Sequence, residues 1–325
     1  IIRKQLRRDH TTYQEEYGTI FPILLMTIIP VILSTAVYQS TKILDAGIFS
    51  NIMSIQGMSK EKYETLWGMY TGKFNTLVNV PLAIANAIGA SVIPSLTAAM
   101  TSGDRRLVHS KIQLATRFSM LISIPSTIGY MVLAKPIMNL LFNGDNSTPA
   151  LLLITGAITI AFYSLSTITN AMLQGIDRMT TPIKNAAISL VIHLVSLFIM
   201  LVVLKMNIFA VIGSTIVFSF SMCILNGRAL RKEIGYHQEY YKTFILPLIA
   251  SIIMGVIAFV IQVAFANIMP EKVATIISVL VAVLVYSLAL LLLGGLTESE
   301  ILAMPKGRKV VNVLKKFHLL REEEE

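Results

Sequence analysis

The chain has 325 residues, of which 54% are hydrophobic and only 14% are charged. Soluble domains carry about 25% charged residues, so this balance excludes an ordinary water-soluble domain. A formal net charge of +9 would suit nucleic acid, but the basic residues lie between apolar segments, where they act as topology signals. We therefore expect no nucleic-acid partner, and the single cysteine, Cys223, excludes a disulfide framework and a cysteine metal site.

Eight apolar runs follow one another along the chain. Each has about the length that an α-helix needs to cross roughly 30 Å of hydrocarbon. We therefore predict an all-α membrane protein with eight transmembrane helices, arranged as a six-helix lobe with an additional C-terminal helix pair. The runs cover approximately 19–41, 74–95, 118–141, 150–172, 183–204, 208–226, 244–267 and 273–296.

The basic residues predict the orientation. If the N-terminus is cytoplasmic and each run crosses once, 20 of the 27 Lys and Arg residues fall inside, as the positive-inside rule requires. Both ends of this multi-pass chain are then cytoplasmic, and 46–66 forms the longest external loop, with room for a short surface helix. The predicted domains are a cytoplasmic N-terminal segment, the lobe, the helix pair and a basic amphipathic cytoplasmic tail, at 1–17, 18–242, 243–296 and 297–325. The tail pattern suits a helix on the inner leaflet and equally suits a solvated tail.

Each of the first six runs carries polar side chains along one helical face. Such groups are costly in hydrocarbon unless they face other helices or water. They either join helices, at about 0.6 kcal/mol per contact, or line a shared water-accessible cavity, which the number of such faces favours. The candidate cavity residues are Asn75, Asn79 and Asn86 in the second run and Thr159, Tyr163, Asn170 and Gln174 in the fourth.

Three ionisable side chains are candidates for function. Lys73, at the outer end of the second run, either reaches the interface or faces the cavity as a counter-charge for phosphate. Asp45, at the end of the first run, forms a local ion pair with Lys42 or holds a cation or proton. His193 is either a neutral, hydrogen-bonded residue or a functional one.

Sequence motifs for covalent chemistry are absent. The chain has no G-x-x-x-x-G-K-[ST] phosphate loop, no H-E-x-x-H and no G-x-S-x-G. We therefore predict a transporter and not an enzyme, with no catalytic residue, no cofactor and no metal site.

Two motifs carry a family resemblance. The segment 70–85, with the Ile93-Pro94-Ser95-Leu96 motif after it, resembles the eighth helix of bacterial polysaccharide and lipid II flippases. These belong to the multidrug/oligosaccharidyl-lipid/polysaccharide exporter superfamily, and the stage V sporulation protein B-like branch is the most similar. The segment 173–178, followed by Pro182, is similar to the motif that closes the family's tenth helix.

The resemblance implies a fold of two six-helix lobes and a final helix pair, of which this chain would be helices seven to fourteen. The chain begins without methionine, so we expect a piece of a longer protein. The last two runs would form a groove for a polyprenyl tail, and Lys73 would face the lipid-linked headgroup. Some members bind sodium between helices seven, eleven and twelve, where this chain offers Asp45, His193 and Thr215. His193 stands where asparagine is expected and no second acid is present, which leaves sodium and proton coupling open.

The function predicted from these patterns is a flippase of the bacterial cytoplasmic membrane. It would translocate an undecaprenyl-pyrophosphate-linked oligosaccharide or peptidoglycan precursor by alternating access. Its partners would be that substrate, membrane lipids and envelope glycosyltransferases, and we expect a monomer. The alternatives are a cation-coupled multidrug exporter of the same superfamily and a non-transporting scaffold for envelope synthesis.

Overall fold

The computed structural model describes residues 17–295 and residue 311, with several residues between 17 and 38 described by their backbone alone. The predicted N-terminal segment and the predicted tail therefore lie outside the described residues, apart from Tyr17 and Val311. The described residues form helices and no β-strand. The helices are α1 (Tyr17–Ile55), α2 (Lys60–Gly68), α3 (Asn75–Thr101), α4 (Arg105–Val132), α5 (Ala134–Leu141), α6 (Ser147–Gly156), α7 (Ile158–Gly175), α8 (Thr180–Phe198), α9 (Ile208–Ile234), α10 (Leu246–Ala266) and α11 (Glu271–Leu292).

Three π-helical turns extend these helices. Met69–Phe74 joins α2 to α3, Ile199–Val203 continues α8, and Tyr241–Ile245 leads into α10. In the first, the Asn75 N–H donates to the Tyr70 carbonyl, five residues back. Such turns are uncommon and occur often at functional sites.

The all-helical membrane class is confirmed. Within the described residues, five continuous helices are long and apolar enough to cross a membrane, and two bent pairs raise the number to seven. The remaining predicted span corresponds to α1, so the count of eight stays a prediction, as do the orientation and the domain boundaries.

The predicted external loop at 46–66 is mostly helical. The helix α1 continues to Ile55 and α2 begins at Lys60, which leaves only four residues between them. Phe49 and Met53 are 0% and 1% exposed, and the Phe49 ring stacks on Trp67 with centroids 5.7 Å apart. The apolar side of this segment is therefore packed, which sequence hydropathy did not reveal because its other side is polar.

Two predicted spans are broken. The helices α4 and α5 meet at 87°, and α6 and α7 meet at 46°. Pro136 explains the first break, because its ring would clash with the carbonyl of Val132, where α4 ends. At the second break, a Cβ on Gly156 would lie 2.5 Å from the Phe74 ring, so glycine lets the turn before α3 pack against the end of α6.

The helices α10 and α11 pack together and contact the rest of the bundle mainly through α4 and α5. The Tyr286 hydroxyl donates to the Leu121 carbonyl at 2.8 Å. Buried Arg117 donates to the Gly295 carbonyl at 2.7 Å. The outward faces of both helices are apolar and exposed, as at Val256, Val260 and Leu284, which suits contact with lipid.

Candidate functional site

A polar cavity of about 710 Å³ lies between α1, α3 and α7, with one residue each from α8 and α9. Its α3 side is open, because Asn79 and Asn86 are exposed along it. Among the described residues, neither of these amides has a hydrogen-bond partner, so both are available to a ligand. The polar lining comprises Gln39, Thr41, Lys42, Asp45, Tyr70, Asn75, Asn79, Asn86, Thr159, Tyr163, Thr167, Asn170, Gln174, His193 and Thr215.

The structure brings together ten of the eleven predicted site residues. The seven uncharged candidates of the second and fourth runs line the cavity, as do all three ion-site candidates. Their contact with a substrate or an ion remains a prediction.

Lys73 is the exception, because it is not among the residues that line the cavity, and its contact with a substrate stays a prediction. Its amine donates to the Asn146 Oδ1 atom at 2.6 Å and lies over the Phe142 ring, 5.9 Å from the centroid. Asn146 is 4% exposed and donates in turn to the Phe142 carbonyl at 2.9 Å. Lys73 thus contacts the loop between α5 and α6 and lies outside the cavity lining.

The cation beside the cavity is Lys42. Sequence reasoning placed it on the polar face of the first run but interpreted it as an ion-pair partner of Asp45. No such pair occurs among the described residues, because Asp45 contacts α8 instead. Gln39, Thr41 and Thr167 were also missed, although their positions on the polar faces of α1 and α7 carried the signal.

Asp45 and His193 form a buried pair at the edge of the cavity. The His193 Nε2 atom lies 2.7 Å from Asp45 Oδ1, and the side chains are 1% and 4% exposed. The Phe218 ring meets the imidazole edge-on at 5.9 Å, and the Tyr70 phenol interacts with Asp45 and Thr215. The pair thus links α1 to α8 at the cavity wall, with both side chains buried.

Much of the remaining polarity lies in a dry interior. The Asn226 amide, 0% exposed, donates to Asn170 Oδ1 at 2.7 Å, and its oxygen accepts from Asn185 at 2.8 Å. Ser119 and Ser123 of α4 are each 1% exposed and do not reach the cavity. The expectation that six polar faces share one cavity is therefore corrected: three helices supply most of it, and two supply one residue each.

Two titratable groups outside the spans have shifted pKa values. A hydrogen bond from the Ser147 backbone, with further help from its hydroxyl and from Lys73 and Lys135, lowers the pKa of Asp145 below its usual range. Burial raises the pKa of Tyr236 to about 12. The Tyr236 phenol therefore stays protonated at neutral pH and donates to Gln238 Oε1 at 3.2 Å.

Metal ligands are not clustered in the described part of the chain. No group of three or more His, Cys, Asp or Glu side chains there is placed to hold an ion.

The apolar helices and the polar cavity within the bundle define a multi-pass helical membrane protein whose interior can hold a polar molecule. The chain belongs to the lipid II flippase MurJ family, whose match covers residues 23–284. It is 25% identical to the lipid II flippase MurJ of Bacillus subtilis (strain 168) over 223 residues. This aligned stretch covers 67% of this chain and 40% of that relative.

Two solved transporters of the MOP superfamily are similar at lower levels. One is a multidrug resistance MATE family transporter in an outward-facing conformation, at 12% identity and a TM-score of 0.47. The other, from Pyrococcus furiosus, has 14% identity and a TM-score of 0.43. In each case the match covers 81% of this chain and 63% of the other.

Proposed function

We propose that the protein translocates a lipid-linked peptidoglycan precursor across the cytoplasmic membrane by alternating access. The observation that carries this proposal is the polar cavity of about 710 Å³ between α1, α3 and α7. Membership of the MurJ family supports the same activity, and such a protein works as a transporter and not as an enzyme.

The lining suits the head of such a precursor. Amides and hydroxyls both donate and accept hydrogen bonds, as sugar hydroxyls and peptide groups require. Lys42 would offset the charge of the pyrophosphate, the role first assigned to Lys73. The polyprenyl tail would lie in lipid against the exposed apolar faces of α10 and α11.

Several finer features belong to the same proposal. The motifs at 70–85 and 173–178 support a place in the stage V sporulation protein B-like branch. The distribution of Lys and Arg supports cytoplasmic chain ends. We further propose that the protein is a monomer and that envelope glycosyltransferases act beside it.

The test measures binding of lipid II to the protein as its gene encodes it, in detergent micelles. Asn79→Ala combined with Asn86→Ala removes two cavity amides and should weaken binding about tenfold, since each hydrogen bond contributes about 0.5–1 kcal/mol. Asn51→Ala combined with Asn267→Ala is the matched control, because those exposed amides bond only to carbonyls of their own helices. Equal binding by the two double variants would refute the assignment of the cavity.

A multidrug exporter would instead need a cavity that accepts organic cations. Lys42 beside the lining disfavours organic cations, because like charges repel. Efflux of cationic dyes, undiminished by the two α3 substitutions, would establish the exporter. A scaffold without transport would show neither dye efflux nor lipid II exchange in proteoliposomes.

We also propose that a proton, and not sodium, drives opening of the cavity. The Asp45–His193 pair supports this, because histidine commonly serves as a proton carrier in proteins and the 2.7 Å contact joins α1 to α8. Lys42, one turn before Asp45, and the Tyr70 phenol are the other titratable groups beside it. A change of charge at this pair would alter how α1 packs against α8.

Proteoliposomes test this coupling. Replacing sodium by choline should leave transport unchanged, whereas imposing a proton gradient should change its rate. Asp45→Asn should abolish the response to the gradient while lipid II binding persists. Sodium dependence, or an unaltered gradient response in the variant, would overturn proton coupling without touching the assignment of the substrate.

A further inference from the structure

A second cavity, of about 480 Å³, lies between α7, α9 and the residues that lead into α10. It contains Leu165, Thr169 and Met172 of α7, whereas Thr159, Tyr163 and Asn170 of that helix line the first cavity. The helix α7 therefore separates two sites, and the substrate proposal leaves the second without a role.

Positive charge lines one part of the second cavity. Arg228 and Arg231 lie about one turn apart on α9 and are both exposed, and His237 lies beside them. No acidic residue lines this cavity, and no acidic group in the described ranges pairs with either arginine. The adjacent Arg178, by contrast, is held by Glu233 at 2.6 Å.

Apolar side chains on the same helix as the two arginines form an apolar wall of the cavity. Phe220 and Ile224 lie on the same face of α9, two turns and one turn before Arg228 respectively, and are 48% and 38% exposed. Gly227 has no neighbour within 4 Å of the place its Cβ would occupy, which leaves room between the apolar wall and the charges. One end of the cavity thus suits an alkyl chain and the other an anion.

The surroundings match a membrane–water interface. Tyr240 on the cavity rim is 69% exposed and Tyr241 next to it is 59% exposed, and tyrosines are enriched at the headgroup level of bilayers. The positive-inside pattern puts this end of α9 at the cytoplasmic leaflet, where anionic lipids attract Lys and Arg.

We propose that this second cavity binds an anionic phospholipid of the cytoplasmic leaflet. Its phosphate accepts hydrogen bonds from Arg228 and Arg231, and an acyl chain lies along Phe220 and Ile224. The bound lipid also contacts Tyr240 and Phe244, so it joins the end of α9 to the start of α10. This proposal does not depend on what the first cavity carries.

The experiment titrates the delipidated protein, as its gene encodes it, with phosphatidylglycerol or phosphatidylcholine of equal chain length and counts bound lipid by native mass spectrometry. One phosphatidylglycerol should bind much more tightly than phosphatidylcholine. Arg228→Gln combined with Arg231→Gln should weaken that binding about 30-fold, which corresponds to about 2 kcal/mol for two interfacial arginines.

Three further variants distinguish binding in this cavity from non-specific attraction of the lipid to positive charge. Arg178→Gln removes a neighbouring charge outside the cavity and should leave binding unchanged. The double substitution Arg228→Lys and Arg231→Lys should retain most of it, which also shows that changes at these positions allow folding. Ile224→Asn should weaken binding of phosphatidylglycerol through the acyl wall alone.

Four results would overturn the proposal. They are equal binding of the two lipids, unchanged binding in the double glutamine variant, an equal loss in Arg178→Gln, and displacement of the bound phosphatidylglycerol by undecaprenyl pyrophosphate. The last would assign the cavity to the lipid carrier of the substrate.

Discussion

Two polar regions of the bundle use the same residue type in opposite ways. Asn79 and Asn86 of α3 are exposed in the cavity without protein partners among the described residues. Asn185 and Asn226 are buried and hydrogen-bonded to each other at 2.8 Å. Asparagine in a membrane helix therefore stabilises the bundle where another helix covers it, and is available to a ligand where none does.

Asn170 lies on the border between these regions. It lines the cavity and accepts a hydrogen bond from Asn226 at 2.7 Å. Movement of α7 against α9 would therefore change both the dry cluster and the cavity, which gives the lobe a route for coupling its packing to a bound ligand.

The largest expected effect is on stability, in the dry region. Asn226→Leu removes donors to Asn170 and Thr169 and the acceptor for Asn185. At roughly 0.6 kcal/mol for each interhelical bond, and more where a polar group stays buried and unpaired, the loss should be about 2 kcal/mol. Thermal unfolding in detergent measures it.

The control is Ser287→Ala on α11, because that exposed hydroxyl bonds only to a carbonyl of its own helix. An Asn226→Leu variant as stable as the control would show that the buried asparagines do not hold the lobe together.

The two lysines give the next contrast. Lys42→Gln should weaken lipid II binding about fivefold, since one interfacial charge contributes about 1 kcal/mol, and should leave the melting temperature unchanged. Lys73→Gln should lower the melting temperature, because it removes the 2.6 Å bond to buried Asn146, and should leave binding unchanged. Lipid II titrations and melting curves of the two variants measure both effects. Weaker binding in Lys73→Gln, with unchanged binding in Lys42→Gln, would return the headgroup role to Lys73.

The smallest effect is expected at Asp145. Its pKa is lowered chiefly by the Ser147 backbone N–H, so its stabilising charge is present above the usual range of Asp and is lost as the pH falls through the lowered value. The melting temperature of Asp145→Asn should therefore differ from that of the parent by a constant amount between about pH 5 and 8. The difference should vanish in stronger acid.

A difference that instead varied across the neutral range would show that the α5–α6 loop titrates. The loop would then contribute to any pH dependence of transport. That pH dependence could no longer be assigned to the Asp45–His193 pair.

Sequence patterns predicted the membrane class and most of the cavity lining. Helical periodicity placed Asn75, Asn79 and Asn86 on one face of α3, and they share one cavity with the predicted face of α7. Periodicity fixes the direction of a side chain about its own helix, but not whether that face meets water or another helix. Ser119 and Ser123 of α4 show this limit, because their face is covered.

The cavity role of Lys73 came from the family resemblance and not from periodicity. Lys73 lies six residues before Asn79, which is about 120° away from Asn79 around an α-helix, so a helical count alone does not place it on the cavity face. The extension of α1 to Ile55 was missed because polar residues such as Asn51 and Ser54 interrupt the apolar pattern, while the buried side chains of Phe49 and Met53 follow it.

Thiol accessibility tests the aqueous cavity most directly. In a Cys223→Ser background, Asn79→Cys and Asn86→Cys should react with a membrane-impermeant maleimide, whereas Ser189→Cys, buried in α8, should not. Reaction at all three positions, or at neither α3 position, would contradict the distinction between a wet cavity and a dry interior.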